Sequence, residues 1–138
     1  MTLVPASESS PIAPDIRLLA GKHILIAEDD QLIAMFESMT LEGAGASIVG
    51  PAVTVQEMVQ LIGRDRVDAA VLDAELRDGF VFDMVPVLRR RRIPFILVTG
   101  HARDWVPEGL RDVPVLEKPV AAEDILEALA RLFDVHHR

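Results

Sequence analysis

Charged and hydroxyl side chains end four apolar segments that are typical of buried strands. Asp73, Thr99 and Lys118 each end one such segment, and Glu28 with Asp29 ends a fourth. A carboxylate can attack phosphorus and form an acyl phosphate. A phosphoryl group in transfer needs positive charge and hydrogen-bond donors around its oxygens. These residue types predict that Asp73 accepts a phosphoryl group with the help of Thr99 and Lys118.

The same residues predict a divalent cation. Glu28, Asp29 and Asp73 would repel one another strongly if they met in a partly desolvated cleft, so the site needs a cation to balance them. Oxygen ligands without a nearby His or Cys select a hard ion, and an open shell with few carboxylates suits Mg²⁺ better than Ca²⁺. Mg²⁺ is therefore the expected cofactor.

Strand-like and helix-like segments alternate along the chain. Apolar runs without polar alternation indicate strands that are covered on both faces, and parallel strands need helical crossovers. The predicted strands are 23–27, 46–50, 68–72, 94–98 and 114–117, and the predicted helices are 31–42, 55–63, 81–91 and 122–134. This order predicts an α/β fold with a doubly wound, five-stranded parallel sheet, in which ligands gather at the carboxyl ends of the strands.

Helix boundaries and faces also follow from local patterns. Leu32, Met35, Phe36 and Met39 lie at helical spacing on one face of the first predicted helix. Thr54-Val-Gln-Glu57 has the pattern of a capping box and predicts the start of the second helix.

Length and composition limit the function classes. The chain has 138 residues, a net charge of −8 and no cysteine, which predicts one domain without disulfides. The negative charge argues against nucleic-acid binding, and no apolar run reaches the ~18 to 20 residues that cross a membrane. We expect a flexible leader over 1–15, a folded domain over 16–138 and a cytoplasmic location.

The ordered set of strand-end residues resembles the signature of response-regulator receiver domains of two-component signalling, a flavodoxin-like fold. The resemblance implies that Asp73 is the phosphoacceptor and that Glu28, Asp29, Asp73 and the backbone carbonyl of Glu75 hold Mg²⁺. It also implies that Thr99 is the switch hydroxyl and that Lys118 pairs with the phosphoryl group, next to a cis bond before Pro119. The implied donor is a phosphohistidine on a sensor histidine kinase or phosphotransfer protein.

Three features depart from the usual family pattern. The loop 74–79 is short and lacks a proline, and Val115 stands where the family usually has an aromatic switch residue. The segment 101–111, where the family usually has its fourth helix, contains Pro107 and Gly109, which predicts that this helix is reduced.

The segment 94–100, Pro-Phe-Ile-Leu-Val-Thr-Gly, resembles the Pro-Phe-x-Phe-Ala-Thr-Gly motif of atypical alphaproteobacterial receivers.

Several residues near the predicted site have a structural interpretation beside a functional one. Asp30 suits a helix N-cap as well as a metal ligand, and Asp78-Gly79 suits a turn. His101 suits a solvent-facing loop, but His101 and Glu75 also lie near the expected path of water and could tune the lifetime of the acyl phosphate. Trp105 suits a hydrophobic anchor of its loop.

The sequence leaves alternatives for the function. The favoured hypothesis is a single-domain receiver without an effector, which catalyses its own phosphorylation and dephosphorylation and signals through another protein. The alternative is a receiver-like module that binds a partner without phosphorylation. A flavodoxin-like cofactor binder is disfavoured, because the acidic residues after the first strand would repel a phosphate group without a metal.

Overall fold

A parallel sheet forms the centre of the domain. The computed structural model describes residues 18–102 and 105–136, so the predicted leader lies outside the described residues. Within these ranges the strands are β1 (His23–Ala27), β2 (Ser47–Ala52), β3 (Ala69–Asp73), β4 (Phe95–Thr99) and β5 (Val115–Glu117). Their order is β2-β1-β3-β4-β5, and all neighbouring pairs are parallel. The predicted doubly wound, five-stranded parallel sheet is confirmed.

Helices cover both faces of the sheet. They are α1 (Gln31–Gly43), α2 (Val55–Arg64), α3 (Val85–Arg90) and α4 (Ala122–His136). Successive strand residues point to opposite faces, so Leu25 belongs to one buried cluster with Met58 of α2, and Ile24 belongs to another with Leu129 of α4. Within the described ranges, none of these helices is both long and apolar enough to span a membrane.

Helix α1 forms as predicted, but its apolar stripe faces solvent. Leu32 is 76% exposed and Met39 is 65% exposed, and the other two residues of the stripe are exposed as well. The buried face carries Ala34, Glu37 and Leu41 instead.

The second strand ends two residues later than predicted and bends at Gly50. The residue has a φ of +100°, and a Cβ there would lie 2.8 Å from the backbone nitrogen of Ala52. Only glycine fits such a close approach. The bend shifts the register between β1 and β2, and β2 continues to Ala52.

The predicted capping box at the start of α2 is present in a modified form. Thr54 Oγ1 accepts a hydrogen bond from Glu57 N at 3.0 Å. The carboxylate of Glu57 accepts from the backbone nitrogen of Val53 at 2.8 Å, one residue before the N-cap.

The third predicted helix, 81–91, is split into two parts. A 3-10 helix covers Val81–Met84, and α3 follows over Val85–Arg90. Pro86 has no N–H to donate to a carbonyl four residues earlier, and its ring would clash with that carbonyl. An α-helix can therefore begin only where Pro86 falls in its first turn.

The two loops that flank this region are also distinctive. The short loop after β3 forms a hairpin in which Glu75–Leu76 pairs antiparallel with Gly79–Phe80. Between β4 and β5, the described residues form a 3-10 helix over Glu108–Leu110 and no α-helix. The helix that the family usually has over 101–111 is therefore reduced, as expected, in the described part of this segment.

Candidate functional site

The predicted site residues meet at the carboxyl edge of the sheet. Glu28 and Asp29 follow β1, Asp73 ends β3, Thr99 ends β4 and Lys118 follows β5. An open cavity of ≈ 540 Å³ lies above them, and its lining includes Asp29, Asp73, Thr99 and Lys118. The convergence that the strand order predicted is therefore present.

Lys118 is the cation of the site in the described structure. Its Nζ donates a hydrogen bond to Asp73 Oδ2 at 2.9 Å and lies 3.3 Å from Glu28 Oε1. Partial burial lowers the pKa of Lys118, but the hydrogen bond to Asp73 and the two nearby negative charges outweigh it and raise the pKa above its usual value. The ammonium is thus held charged, beside the carboxylate that is predicted to accept a phosphoryl group.

Three carboxylates form a group that could hold a metal ion. One oxygen from each of Glu28, Asp29 and Asp73 lies within 4.8 Å of the others. Glu28 is 1% exposed, and its Oε1 has no hydrogen-bond partner among the described residues. Burial, and then the charge of Asp73, raise the pKa of Glu28 to about 7, against the opposing effects of the Asp30 N–H and Lys118. The Oε1 of Glu28 makes an ion pair with Lys118 but no hydrogen bond among the described residues, and such an all-oxygen group with a buried carboxylate fits a hard divalent cation.

Thr99 and Glu75 are linked to the rest of the site through backbone groups. Thr99 is 1% exposed, and its Oγ1 accepts a hydrogen bond from His101 N at 3.0 Å. Glu75 donates its backbone N–H to Asp73 Oδ1 at 3.2 Å. The side chains of Glu75 and His101 are about half exposed and lie 3.8 Å apart at the mouth of the cavity.

Asp30 and Pro119 each directly follow a site residue in the chain. Asp30 is an N-cap: its Oδ1 accepts from Leu32 N at 2.9 Å and from Ile33 N at 3.1 Å. It does not belong to the three-carboxylate group. The bond between Lys118 and Pro119 is cis, as expected.

Sequence reasoning missed Glu37, which lies on the buried face of α1. The side chain is 2% exposed, and its Oε1 has no hydrogen-bond partner among the described residues. Burial, followed by the negative charge of Glu28, raises the pKa of Glu37 to about 8. Its position three residues after Ala34 and four before Leu41 was the available sign that it shares their face.

An aromatic cluster borders the cavity and was also missed. Trp105 stacks on His101 with ring centroids 4.1 Å apart. Its ring also lies 5.6 Å from that of Phe80 and 5.7 Å from that of Phe82. Trp105 thus contacts both the loop after β4 and the hairpin after β3, which is consistent with the anchor expected from the sequence.

Comparisons with known proteins agree with this arrangement, although no family model matches the chain. The transcriptional regulatory protein PdtaR of Mycobacterium tuberculosis is 32% identical over 114 residues, which cover 78% of this chain and 55% of that protein. The chain therefore spans about half the length of this curated relative.

Two solved structures match over nearly their whole length. SdrG from Sphingomonas melonis Fr1 is 38% identical with a TM-score of 0.72, and the match covers 81% of this chain and 96% of SdrG. A response regulator receiver protein from Sinorhizobium medicae WSM419 shares the fold at 22% identity and a TM-score of 0.73, with 82% of this chain and 94% of that protein covered. The chain belongs to the response-regulator receiver family of two-component signalling.

Proposed function

We propose that the domain accepts a phosphoryl group on Asp73 in a Mg²⁺-dependent reaction. One observation carries this proposal: Asp73 is hydrogen-bonded to Lys118 at 2.9 Å and also shares a compact carboxylate group with Glu28 and Asp29. This combination supports the proposal, because a nucleophilic carboxylate needs a nearby ammonium and a bound cation to balance the charge of an incoming phosphoryl group.

The proposed reaction transfers a phosphoryl group between two side chains. A carboxylate oxygen of Asp73 attacks the phosphorus of a phosphohistidine on the donor. A P–O bond forms, the P–N bond breaks, and the leaving imidazole takes up a proton. Lys118 stabilises the negative charge on the phosphoryl oxygens, and the Thr99 hydroxyl donates a hydrogen bond to one of them. Water later attacks the phosphorus, which returns the carboxylate and releases inorganic phosphate.

The carboxylate group would hold the metal. Glu28, Asp29 and Asp73, with the backbone carbonyl of Glu75 that the family resemblance adds, would bind Mg²⁺. The ion would supply positive charge that balances the carboxylates and the incoming phosphoryl oxygens. Buried Glu28 supports this assignment, because its Oε1 accepts no hydrogen bond among the described residues and faces the site next to the Lys118 ammonium.

The exposed stripe of α1 supports a protein as the donor. Helix α1 begins two residues after Asp29, which lines the cavity. Its apolar stripe is exposed: Leu32, Met35, Phe36 and Met39. A contiguous exposed apolar patch of this kind is typical of a protein interaction surface. We infer that a sensor histidine kinase or phosphotransfer protein docks there and presents its phosphohistidine to Asp73.

Intact-mass spectrometry after incubation with acetyl phosphate and Mg²⁺ tests the chemistry. We expect a gain of one phosphoryl group that is lost in Asp73→Asn and in a magnesium-free control. An equal gain in Asp73→Asn would refute Asp73 as the acceptor. No gain in the wild type, combined with no transfer from a phosphorylated cognate kinase, would favour a module that binds without phosphorylation.

A donor comparison tests the docking surface separately. The double variant Leu32→Glu, Met39→Glu changes exposed positions and leaves the cavity residues intact. Phosphorylation by the kinase should slow by about tenfold or more, since charges oppose burial of an apolar patch, while the rate with acetyl phosphate stays unchanged. Equal slowing with both donors would mean that the substitutions damage the site itself.

A further inference from the structure

We propose that Asp78 is a positioning residue that ties the hairpin after β3 to the start of α2 and thereby fixes the groups around Asp73. The Asp78-Gly79 pattern predicts only a turn. In the structure Asp78 has a second role. Its carboxylate accepts hydrogen bonds from the backbone nitrogens of Val55 at 2.6 Å and Gln56 at 3.2 Å.

These contacts bridge two distant segments. Val55 and Gln56 are the first residues of α2 and lie 23 and 22 positions before Asp78. The N–H groups at a helix start lack partners within the helix, and a carboxylate there is favoured by the helix dipole. The hydrogen bond from the Val55 N–H, helped by the one from the Gln56 N–H, lowers the pKa of Asp78 against the opposing effect of burial. Asp78 therefore binds the start of α2 as a charged carboxylate that accepts two backbone hydrogen bonds.

The hairpin connects Asp78 with the acceptor residue Asp73. Glu75 pairs with Phe80 and Leu76 pairs with Gly79, with Asp78 in the connecting turn. Leu76 is 3% exposed and anchors the hairpin in the core. At the other end, the Glu75 N–H donates to Asp73 Oδ1 at 3.2 Å. Asp78 thus holds the turn of the same short element that orients the acceptor carboxylate.

The short hairpin has few other polar links to the start of α2 among the described residues. The hairpin is only six residues long and contains Gly79 at a φ of +149°, a flexible position. One backbone bond, from Arg77 N to Val53 O at 3.3 Å, also joins the hairpin to the segment before α2. Without the Asp78 carboxylate, this longer bond would be the hydrogen bond that still joins the described parts of these two segments.

The test compares Asp78→Ala with Thr54→Ala. Both substitutions remove a cap from the same helix end, but Thr54 Oγ1 accepts from Glu57 within α2 and does not bridge to the hairpin. Asp78→Asn is a third variant that keeps a hydrogen-bonding oxygen. The readouts are amide hydrogen exchange of 75–80 and the rate of phosphorylation by acetyl phosphate with Mg²⁺.

We expect Asp78→Ala to speed amide exchange in the hairpin and to slow phosphorylation by about tenfold, as losses of supporting groups around a metal site typically do. Thr54→Ala should leave both readouts near wild type, and Asp78→Asn should recover most of the loss. Equal effects of the two alanine variants would overturn the proposal, because destabilised α2 would then explain them.

The inference rests on the proposed function for its rate measurement only. If wild-type protein takes up no phosphoryl group, the proposed function fails, and the exchange data still decide whether Asp78 restrains the hairpin. If phosphorylation proceeds and exchange in 75–80 is the same in wild type and Asp78→Ala, the positioning role is refuted while the proposed function stands.

Discussion

Trp105 lies flat against His101, with ring planes at 20° and centroids 4.1 Å apart. The backbone nitrogen of His101 donates to Thr99 Oγ1, the hydroxyl to which the family resemblance gives the switch role. His101 therefore connects the indole of Trp105 with this hydroxyl. Val115, the residue at the usual aromatic position, is half-buried against the core. The stack on His101 is thus an aromatic contact of this chain that can report a change at Thr99.

The first prediction uses this stack. Trp105 is the single tryptophan of the chain, so its fluorescence reports on one place. Phosphorylation by acetyl phosphate with Mg²⁺ should change its emission, because a Thr99 hydroxyl drawn toward the phosphoryl group must shift its bond to His101. Asp73→Asn should show no change. A constant emission in wild type that mass spectrometry shows to be phosphorylated would exclude this coupling.

The second prediction concerns the lifetime of the acyl phosphate. The side chains of Glu75 and His101 lie 3.8 Å apart at the mouth of the cavity, where water must enter. Replacing either by alanine should alter the dephosphorylation rate more than the phosphorylation rate, by roughly threefold or more. The decay of purified phosphoprotein measures this directly. Unchanged decay in both variants would remove the assigned tuning role.

The third prediction concerns Glu37, whose buried carboxyl has a pKa of about 8 against an ordinary 4.5. Between these values the folded chain holds a proton that the unfolded chain releases, so the free energy of unfolding falls as the pH rises through that range. Glu37→Met should remove this fall and raise the free energy of unfolding at pH 8 on the order of 2 to 4 kcal/mol.

Urea unfolding at pH 5 and pH 8 measures the effect of Glu37. Glu42→Gln is the matched control, because Glu42 lies on the exposed side of the same helix. The gap between wild type and Glu37→Met should widen with pH, whereas Glu42→Gln should stay close to wild type. A gap that is the same at both pH values would show that Glu37 is not a protonated carboxyl in the folded protein.

The burial of Glu37 and the exposure of the α1 stripe could not be predicted from the sequence. The strand runs and their terminal charges predicted the sheet and its cavity, because parallel strands bring their carboxyl ends to one edge. Which face of α1 packs against the sheet depends on long-range fit. Spacing places Leu32 and Met39 on one face, and that face is exposed, whereas the packed face contains a glutamate. The Asp78 cap is similarly hidden, since its partners lie more than 20 positions away.

The fourth prediction is a pH dependence of Mg²⁺ binding. Burial and the charge of Asp73 raise the pKa of Glu28 to about 7, and a protonated carboxyl must lose its proton to bind a metal ion. The affinity for Mg²⁺ should therefore fall by about tenfold from pH 8 to pH 6. Calorimetry in buffers of different ionisation enthalpy should also detect proton release. Affinity independent of pH, without proton release, would contradict the role of Glu28.

The most direct test of the central claim locates the phosphoryl group on the chain. Protein phosphorylated in the presence of Mg²⁺ is treated with borohydride, which reduces an aspartyl phosphate to homoserine, and the peptides are mapped by mass spectrometry. We predict homoserine at position 73, and none there in protein that was not phosphorylated. Homoserine at another aspartate, with Asp73 intact in phosphorylated protein, would contradict Asp73 as the phosphoacceptor.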